Sequence, residues 1–179
     1  MSILVLAEHN NSELKTSTLN AISAAIVIDS NIDVVVIGSS CDNVISKLSN
    51  VPKINKVIVV DSKKYINPIA ELIAPIIQSL AQNYSHIISP ASTFGKNVMP
   101  RIAALLDISQ VSDVIKIENE NTFVRPIYAG NAIATVESSE KIKIITIRPT
   151  SFEAAMTEGG KAEIEKLDFN IENNSVEFI

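Results

Sequence analysis

The chain has 179 residues, 46% hydrophobic and 20% charged, which suits one domain, or one domain plus a tail, with a sizeable core. Fifteen Lys and Arg against 20 Asp and Glu leave a net charge of −5, a poor balance for nucleic-acid binding, which needs a basic footprint. A single Cys, Cys41, rules out an internal disulfide or a cysteine-built metal site, and two His, His9 and His86, argue against a histidine-rich one.

The apolar residues are unusual in kind. There are 29 Ile but only 5 Phe, 3 Tyr and no Trp, so the core is β-branched and offers few rings on which a base or flavin could stack. The first residues lack the basic start and long apolar stretch of a signal peptide. No run approaches the ~20 apolar residues of a membrane span. The expectation is a soluble, intracellular chain with no direct membrane insertion.

In chain order, Ile3-Leu4-Val5-Leu6-Ala7 is a short apolar run without polar alternation, as parallel strands covered on both faces require. Leu19, Ile22 and Ile26 then recur at helical spacing. Val34 to Gly38 is a second buried run, Cys41 to Leu48 a short helix, and Val57 to Val60 a third strand. Asn67-Pro68 reads as a helix start, with Asn as cap and Pro at the first helical position. Ile69, Ile73, Ile76, Ile77 and Leu80 continue it as one stripe, which Pro75 should kink. Ser85 to Ser89 is a fourth strand. This alternation predicts a parallel sheet with helices on both faces, in the usual 3-2-1-4-5 order.

The second half changes character. Val98, Ile102, Leu105 and Leu106 mark a helix, followed by a run from Val111 to Ile117. Thr122 to Ala129 and Ala132 to Glu137 flank Gly130-Asn131, which reads as a two-residue type II′ hairpin turn. Lys141 to Ile147 alternates and is read as a further strand of an antiparallel meander that ends the parallel core. Residues 1–152 carry 13 positive and 13 negative side chains, whereas 153–179 carry 2 and 7. The last segment therefore reads as an acidic tail or linker, with a possible strand at Leu167, Phe169 and Ile171 and a linker at Asn173-Asn174.

The common phosphate and nucleophile motifs are absent. Ala7-Glu8-His9-Asn10-Asn11 stands where a G-x-G-x-x-G turn would lie, and a carboxylate there repels a pyrophosphate. Gly95-Lys96-Asn97 lacks the upstream Gly and the hydroxyl of a P-loop. Glu8 and His9 lie just past the first strand, at the edge where α/β sheets bind ligands. They could do acid–base work, or simply cap a helix and order the loop. Ser92 and Thr93 can cap the next helix, Gly95 allows close approach, and Pro100 belongs near its start. Lys96 and Arg101 near that helix N-terminus could meet an anion; alternatively Arg101 pairs with Asp107, Asp113 or a partner chain. Arg125 and Tyr128 fall on opposite faces of a regular strand, in a hairpin that is either a structural meander or an interface edge. Cys41 opens a helix, where a thiolate is favoured, although a lone Cys is more often a packing residue.

Several blocks together resemble the N-terminal domain of the electron-transfer flavoprotein alpha-subunit family. They are Leu4-Val5-Leu6-Ala7-Glu8-His9; Thr93-Phe94-Gly95-Lys96 with Pro100-Arg101-Ile102-Ala103-Ala104 and Ser112-Asp113-Val114; Phe123 through Ala132; and Arg148-Pro149-Thr150-Ser151-Phe152. The resemblance covers most of 1–152 in order and the tail only loosely. It implies an α/β, Rossmann-like three-layer fold, with a parallel sheet and an antiparallel hairpin meander at the end. It also implies a heterodimer with a beta subunit that carries electrons from acyl-CoA and other dehydrogenases to a membrane quinone reductase. Family FAD is held mainly by a Gly-rich C-terminal domain, absent here, and AMP by the beta subunit.

The resemblance thus implies that 1–152 is a scaffold domain and that 153–179 leads toward the missing FAD domain. FAD is expected in the full-length complex and not on this fragment. No catalytic, cofactor or metal residue is transferred. Gly95, Lys96, Pro100, Arg101, Asp113, Arg125, Tyr128, Gly130 and Asn131 become structural or interface candidates. The alternative is an adenine-nucleotide-binding Rossmann-like domain, with its ligand near His9 and Thr93. Without its partner and flavin domain the fragment would bare apolar surface, which favours self-association. The location expected is bacterial cytoplasm, or the mitochondrial matrix if the chain is eukaryotic.

Overall fold

Isoleucine and valine runs without polar alternation can be buried only between two covering layers, and that is how they are used. The structure, a computed structural model, describes residues 2–172, 176 and 178. The first strands and helices are β1 (Ile3–Leu6), α1 (Thr16–Ile28), β2 (Ile32–Gly38), α2 (Asp42–Ser49) and β3 (Ile54–Asp61). They continue as α3 (Ala70–Leu80), β4 (His86–Pro90), α4 (Thr93–Leu106) and β5 (Gln110–Val114). Then come β6 (Lys116–Ile117), β7 (Thr122–Ile127), β8 (Ala132–Glu137), β9 (Lys143–Ile147) and β10 (Glu163–Lys166).

Seven strands form one sheet in the order β10-β3-β2-β1-β4-β9-β5, every adjacent pair parallel. Alternate residues of each strand feed opposite cores. Ile3 and Val5 of β1 join Val34, Val36, Val57 and Val59 against α1 and α2. Leu4 and Leu6 join Val35, Ile37, Ile58 and Val60 against α3 and α4. Each fully buried Ile or Val contributes about 1.5–3 kcal/mol relative to exposure.

Several expectations are corrected. The order 3-2-1-4 holds, but the next strand in space is β9, inserted parallel between β4 and β5. Lys141–Ile147 is therefore not part of the meander. Ile144 faces one core while Ile145 and Ile147 face the other, so this strand needs cover on both sides. The antiparallel part is a separate sheet, β6-β7-β8, which replaces a helix as the crossover between β5 and β9. It lies over the α1 side, where Phe123 is fully buried and meets His86 edge-on at 6.5 Å. His86 ties the two sheets together: its Nε2 lies 2.7 Å from the Glu120 carbonyl and its Nδ1 2.8 Å from Ser85 Oγ.

The hairpin turn is longer than expected. Tyr128 to Asn131 connect Ile127 to Ala132, with positive φ at Tyr128, Ala129 and Gly130. Asn67 does not cap α3: the N-cap is Ile69, with no side-chain bond, and Pro75 lies inside the helix. Pro100 is also internal to α4 rather than near its start.

The acidic tail is no free appendage. β10 adds to β3 with Lys56 Nζ 2.8 Å from Glu165 Oε2. Leu167, Phe169 and Ile171, read as a strand, instead pack as side chains on the α3-side core, and Tyr65 donates its hydroxyl to the Phe169 carbonyl at 2.9 Å. The linker read at Asn173-Asn174 lies outside the described residues.

Two glycines make a contrast that tests this packing. A Cβ on Gly95 would sit 1.9 Å from the Pro90 carbonyl oxygen, whereas one on Gly130 meets nothing, though its φ is +92°. Gly95→Ala is expected to destabilise the protein by about 3 kcal/mol or more in urea unfolding, because backbone must move. Gly130→Ala should cost only about 1 kcal/mol, the left-handed backbone penalty. Equal costs would contradict the α4–β4 fit.

Candidate functional site

In a sheet ordered 3-2-1-4 the order of winding reverses between the parallel strands β1 and β4, and a crevice opens at their carboxyl ends. A cavity of about 300 Å³ lies there, lined by Leu6, Ala7, His9, Asn10, Asn11, Ile37, Ile66, Pro68 and Phe94. It is mainly apolar, and among the described residues no Lys or Arg lines it.

The loop after β1 fills much of this edge itself. The Asn10 carboxamide oxygen accepts from the N–H groups of Ser12 (3.2 Å) and Glu13 (2.7 Å), which turns the chain back on itself. Lys15 N–H returns to the Glu8 carbonyl at 3.0 Å. Asn11, at φ 71°, then reaches across the crevice. It accepts from Ser39 N–H (3.0 Å) and donates to the Ile66 carbonyl (2.9 Å), which joins the β1, β2 and pre-α3 loops. Gly38 makes room for it: a Cβ there would lie 2.4 Å from Asn11 Oδ1, 2.6 Å from Cys41 Sγ and 2.7 Å from His9 Cε1.

Glu8 and His9 point to different places, as neighbours on an extended chain must. The Glu8 carboxylate accepts from Ser17 Oγ at 3.0 Å, and Glu8 N–H donates to Thr18 Oγ1 at 2.8 Å. The N-cap of α1, Lys15, supplies no side-chain bond, so Glu8 serves that helix end from a distance. His9 Nδ1 accepts from Asn11 N–H at 3.0 Å, which leaves Nε2 to donate to the Ile37 backbone. Of the two readings of this pair, the geometry matches helix capping and loop ordering.

The other candidates do not converge. Ser92 caps α4 by accepting from Gly95 N–H at 3.2 Å, as its sequence position suggests. Lys96 is exposed. Arg101 pairs with Glu71 of α3 at 3.0 Å, rather than with Asp107 or Asp113. Asp113, at φ 58°, clamps Arg148: Nε to Oδ1 is 3.1 Å and Nη2 to Oδ2 is 2.5 Å, which locks β5 to the end of β9. Arg125 sits half-buried in β7, its Nε without an acceptor among the described residues. Tyr128, 79% exposed, occupies the hairpin loop with Gly130 and Asn131.

Cys41 is corrected: burial first, and then the Asp61 charge, push its thiol up to about 11, so it is no thiolate. Asp61 takes the N–H groups of Ser40 (2.8 Å) and Cys41 (2.9 Å) at the start of α2. Asn11 and Asp61 organise this edge, yet sequence reading missed both, because their partners are backbone groups far along the chain. Among the described residues no group of three or more His, Cys, Asp or Glu could hold a metal ion, and no helix is long and apolar enough to cross a membrane.

Fold and crevice together define a Rossmann-like α/β domain whose ligand-binding edge is occupied by its own loop. The model of the electron transfer flavoprotein domain matches residues 3–172. The electron transfer flavoprotein subunit alpha of Pseudomonas aeruginosa is 47% identical over 167 residues, covering 93% of this chain and 54% of that protein. The mitochondrial subunit alpha of Dictyostelium discoideum is 47% identical over 169 residues (90% and 48%), and the probable mitochondrial one of Caenorhabditis elegans 39% over 166 (92% and 50%). The chain belongs to the electron transfer flavoprotein family and is similar to its alpha subunits. It spans about half the length of the curated relatives it matches.

The residues of this edge do not fit a flavin dinucleotide. A diphosphate at the start of α1 would meet the Glu8 carboxylate, and the approach over Gly38 is taken by Asn11.

Both histidines are held below the usual value of 6.5, chiefly by burial. For His9 the Ile37 hydrogen bond and the Asp61 and Glu8 charges partly oppose it; for His86 the Glu120 bond opposes and Lys143 adds to it. Below pH 6.5 the unfolded chain takes up protons that the folded one does not, so stability falls as pH drops, until the folded groups titrate. Urea midpoints measured from about pH 8 to about pH 5 should be flat above about 6.5 and decline below it. The decline should be shallower in a His9→Gln/His86→Gln double variant; an unchanged slope there would remove the histidines as its cause.

Proposed function

We propose that this chain is the supporting part of an electron-transfer flavoprotein alpha subunit. It packs on a beta subunit, and the two form a base for a flavin-bearing domain outside these residues. The complete protein passes electrons from acyl-CoA and other dehydrogenases to a membrane quinone reductase through FAD. Residues 1–152 act as the platform, and 153–179 lead toward the flavin domain. No catalytic residue is assigned to this segment. The location is bacterial cytoplasm, or the mitochondrial matrix in a eukaryote, as the names of the Dictyostelium and Caenorhabditis relatives suggest for those organisms.

The observation that carries this reading is the crevice occupied by Asn10, Asn11 and Glu8, which turns a nucleotide-type fold into a closed support. The adenine-nucleotide alternative has less behind it, since the nearby cavity is apolar and unlined by cations. The hairpin offers the surface for the beta subunit: Tyr128 is 79% and Ile133 59% exposed, beside Arg125, Gly130 and Asn131. Gly95, Arg101 and Asp113 serve packing and ion pairing within the platform, and Lys96 and Pro100 are left on its surface.

Mixing the purified chain with an electron-transfer flavoprotein beta subunit should give a 1:1 complex by light scattering after gel filtration. Tyr128→Ala with Arg125→Ala should weaken it about tenfold or more without lowering the melting temperature. The chain alone should purify colourless and give no heat with AMP in calorimetry. A stoichiometric yellow flavin held by the chain alone would overturn the reading.

A further inference from the structure

The small sheet turns one face toward the rest of the molecule, and that face carries a charge. Side chains alternate along a strand, and directly opposed residues share a side. The register therefore sets Ile117, Phe123, Arg125, Ala134 and Val136 on one side. Ile117 and Phe123 are buried in the α1-side core, and Val136 packs against it. Arg125, half-buried, is the only ionised residue that β7 and β8 place on this side. Its Nε is enclosed, and among the described residues nothing gives the guanidinium a hydrogen bond or an ion pair. The other two arginines of the chain are both paired, Arg101 with Glu71 at 3.0 Å and Arg148 with Asp113 at 2.5 Å. A cation on an apolar, core-directed face costs stability until a counter-ion meets it. The opposed Ala134 brings no acceptor, and Leu167, Phe169 and Ile171 pack on the far, α3 side of the large sheet.

We propose that Arg125 receives a carboxylate of the beta subunit, an Asp or Glu that completes the ion pair only in the complex, an assignment that rests on the packing of this hairpin against that subunit. With Nε enclosed, the incoming group meets the outer end of the fork, Nη1 and Nη2. Charge and shape select a carboxylate. One guanidinium balances one such group, and its planar fork matches the two oxygens. A phosphate asks for further cations, and Lys116, the one Lys of these strands, lies on the other side of the sheet and pairs with Glu118 at 2.6 Å. The setting is that of a protein contact: Tyr128, three residues on, is 79% exposed, and an aromatic next to an arginine is the pairing that interface centres favour.

Arg125→Met keeps an unbranched stem and removes the charge, so it separates stability from binding. In the chain alone it should raise the melting temperature by about 2 °C, since an uncompensated charge is lost. In calorimetric titration with an electron-transfer flavoprotein beta subunit it should weaken the complex at least about tenfold. Arg125→Lys keeps the charge without the fork and should bind between the two. Treated with a carbodiimide in the complex, the amine of that variant should form an amide with an Asp or Glu of the beta subunit, which mass spectrometry locates. A lower melting temperature in Arg125→Met overturns the proposal, because the cation then has its counter-ion within the chain. A complex that Arg125→Met leaves as tight as before, or a carbodiimide link only to this chain's own carboxylates, overturns it too and leaves the hairpin as the docking surface. Heat from inorganic phosphate or AMP that Arg125→Met abolishes assigns the guanidinium to a free anion instead, which also overturns it. If the unaltered chain forms no complex at all, the beta-subunit reading falls and takes this pair with it.

Discussion

Covering a β-branched sheet on both faces is the constraint from which the rest of the molecule follows. Val34, Val36, Val57 and Val59 face one core, and Val35, Ile37, Ile58 and Val60 the other. Neither set tolerates water, so each strand needs a layer above and below it. α1 and α2 supply one layer and α3 and α4 the other. Where helices run out, beyond β5, the small antiparallel sheet takes over, with Phe123 and Ile117 in the same core as α1. That explains a crossover made of strands: what β9 required was apolar cover.

The same economy shapes the crevice. Folds of this order present helix N-termini and a gap at their carboxyl edge, which suits anions. Here the chain uses those features on itself. Glu8 meets α1 through Ser17, Asp61 meets the start of α2 through Ser40 and Cys41, and Ser92 meets Gly95 at the start of α4. Asn11 spans the gap between Ser39 and Ile66. With these groups committed, the edge is a joint between loops, and the polar interactions that would hold a phosphate stabilise the scaffold instead.

Much of this was legible beforehand. Unbroken apolar runs marked β1 to β4 as parallel strands, and a Ser-Thr pair before Gly95 marked the start of α4, because both signals are local. β9 was misread because Lys141 and Lys143 alternate with Ile142 and Ile144, a pattern that describes the approach to the strand and its first two residues and hides Ile145 and Ile147. The hairpin turn was misread because Gly130-Asn131 is a common two-residue turn, while the real loop also takes Tyr128 and Ala129 into left-handed backbone, a choice set by how β7 meets β8. Asn11, Asp61 and Glu71 escaped notice since each acts on a group distant in the chain.

Composition and local pattern alone settled the class of fold, the paired apolar faces, the absence of a glycine-rich phosphate turn and the kinship carried by the blocks around Gly95, Arg125 and Arg148. Those properties reside in short stretches, where period and propensity speak directly. Long-range pairing was needed for the rest: the place of β9, the docking of Glu163–Lys166 on β3, the partner of Arg101 and the filling of the crevice. Each of these compares contacts between segments far apart in the chain, and such energies have no signature until the chain has folded.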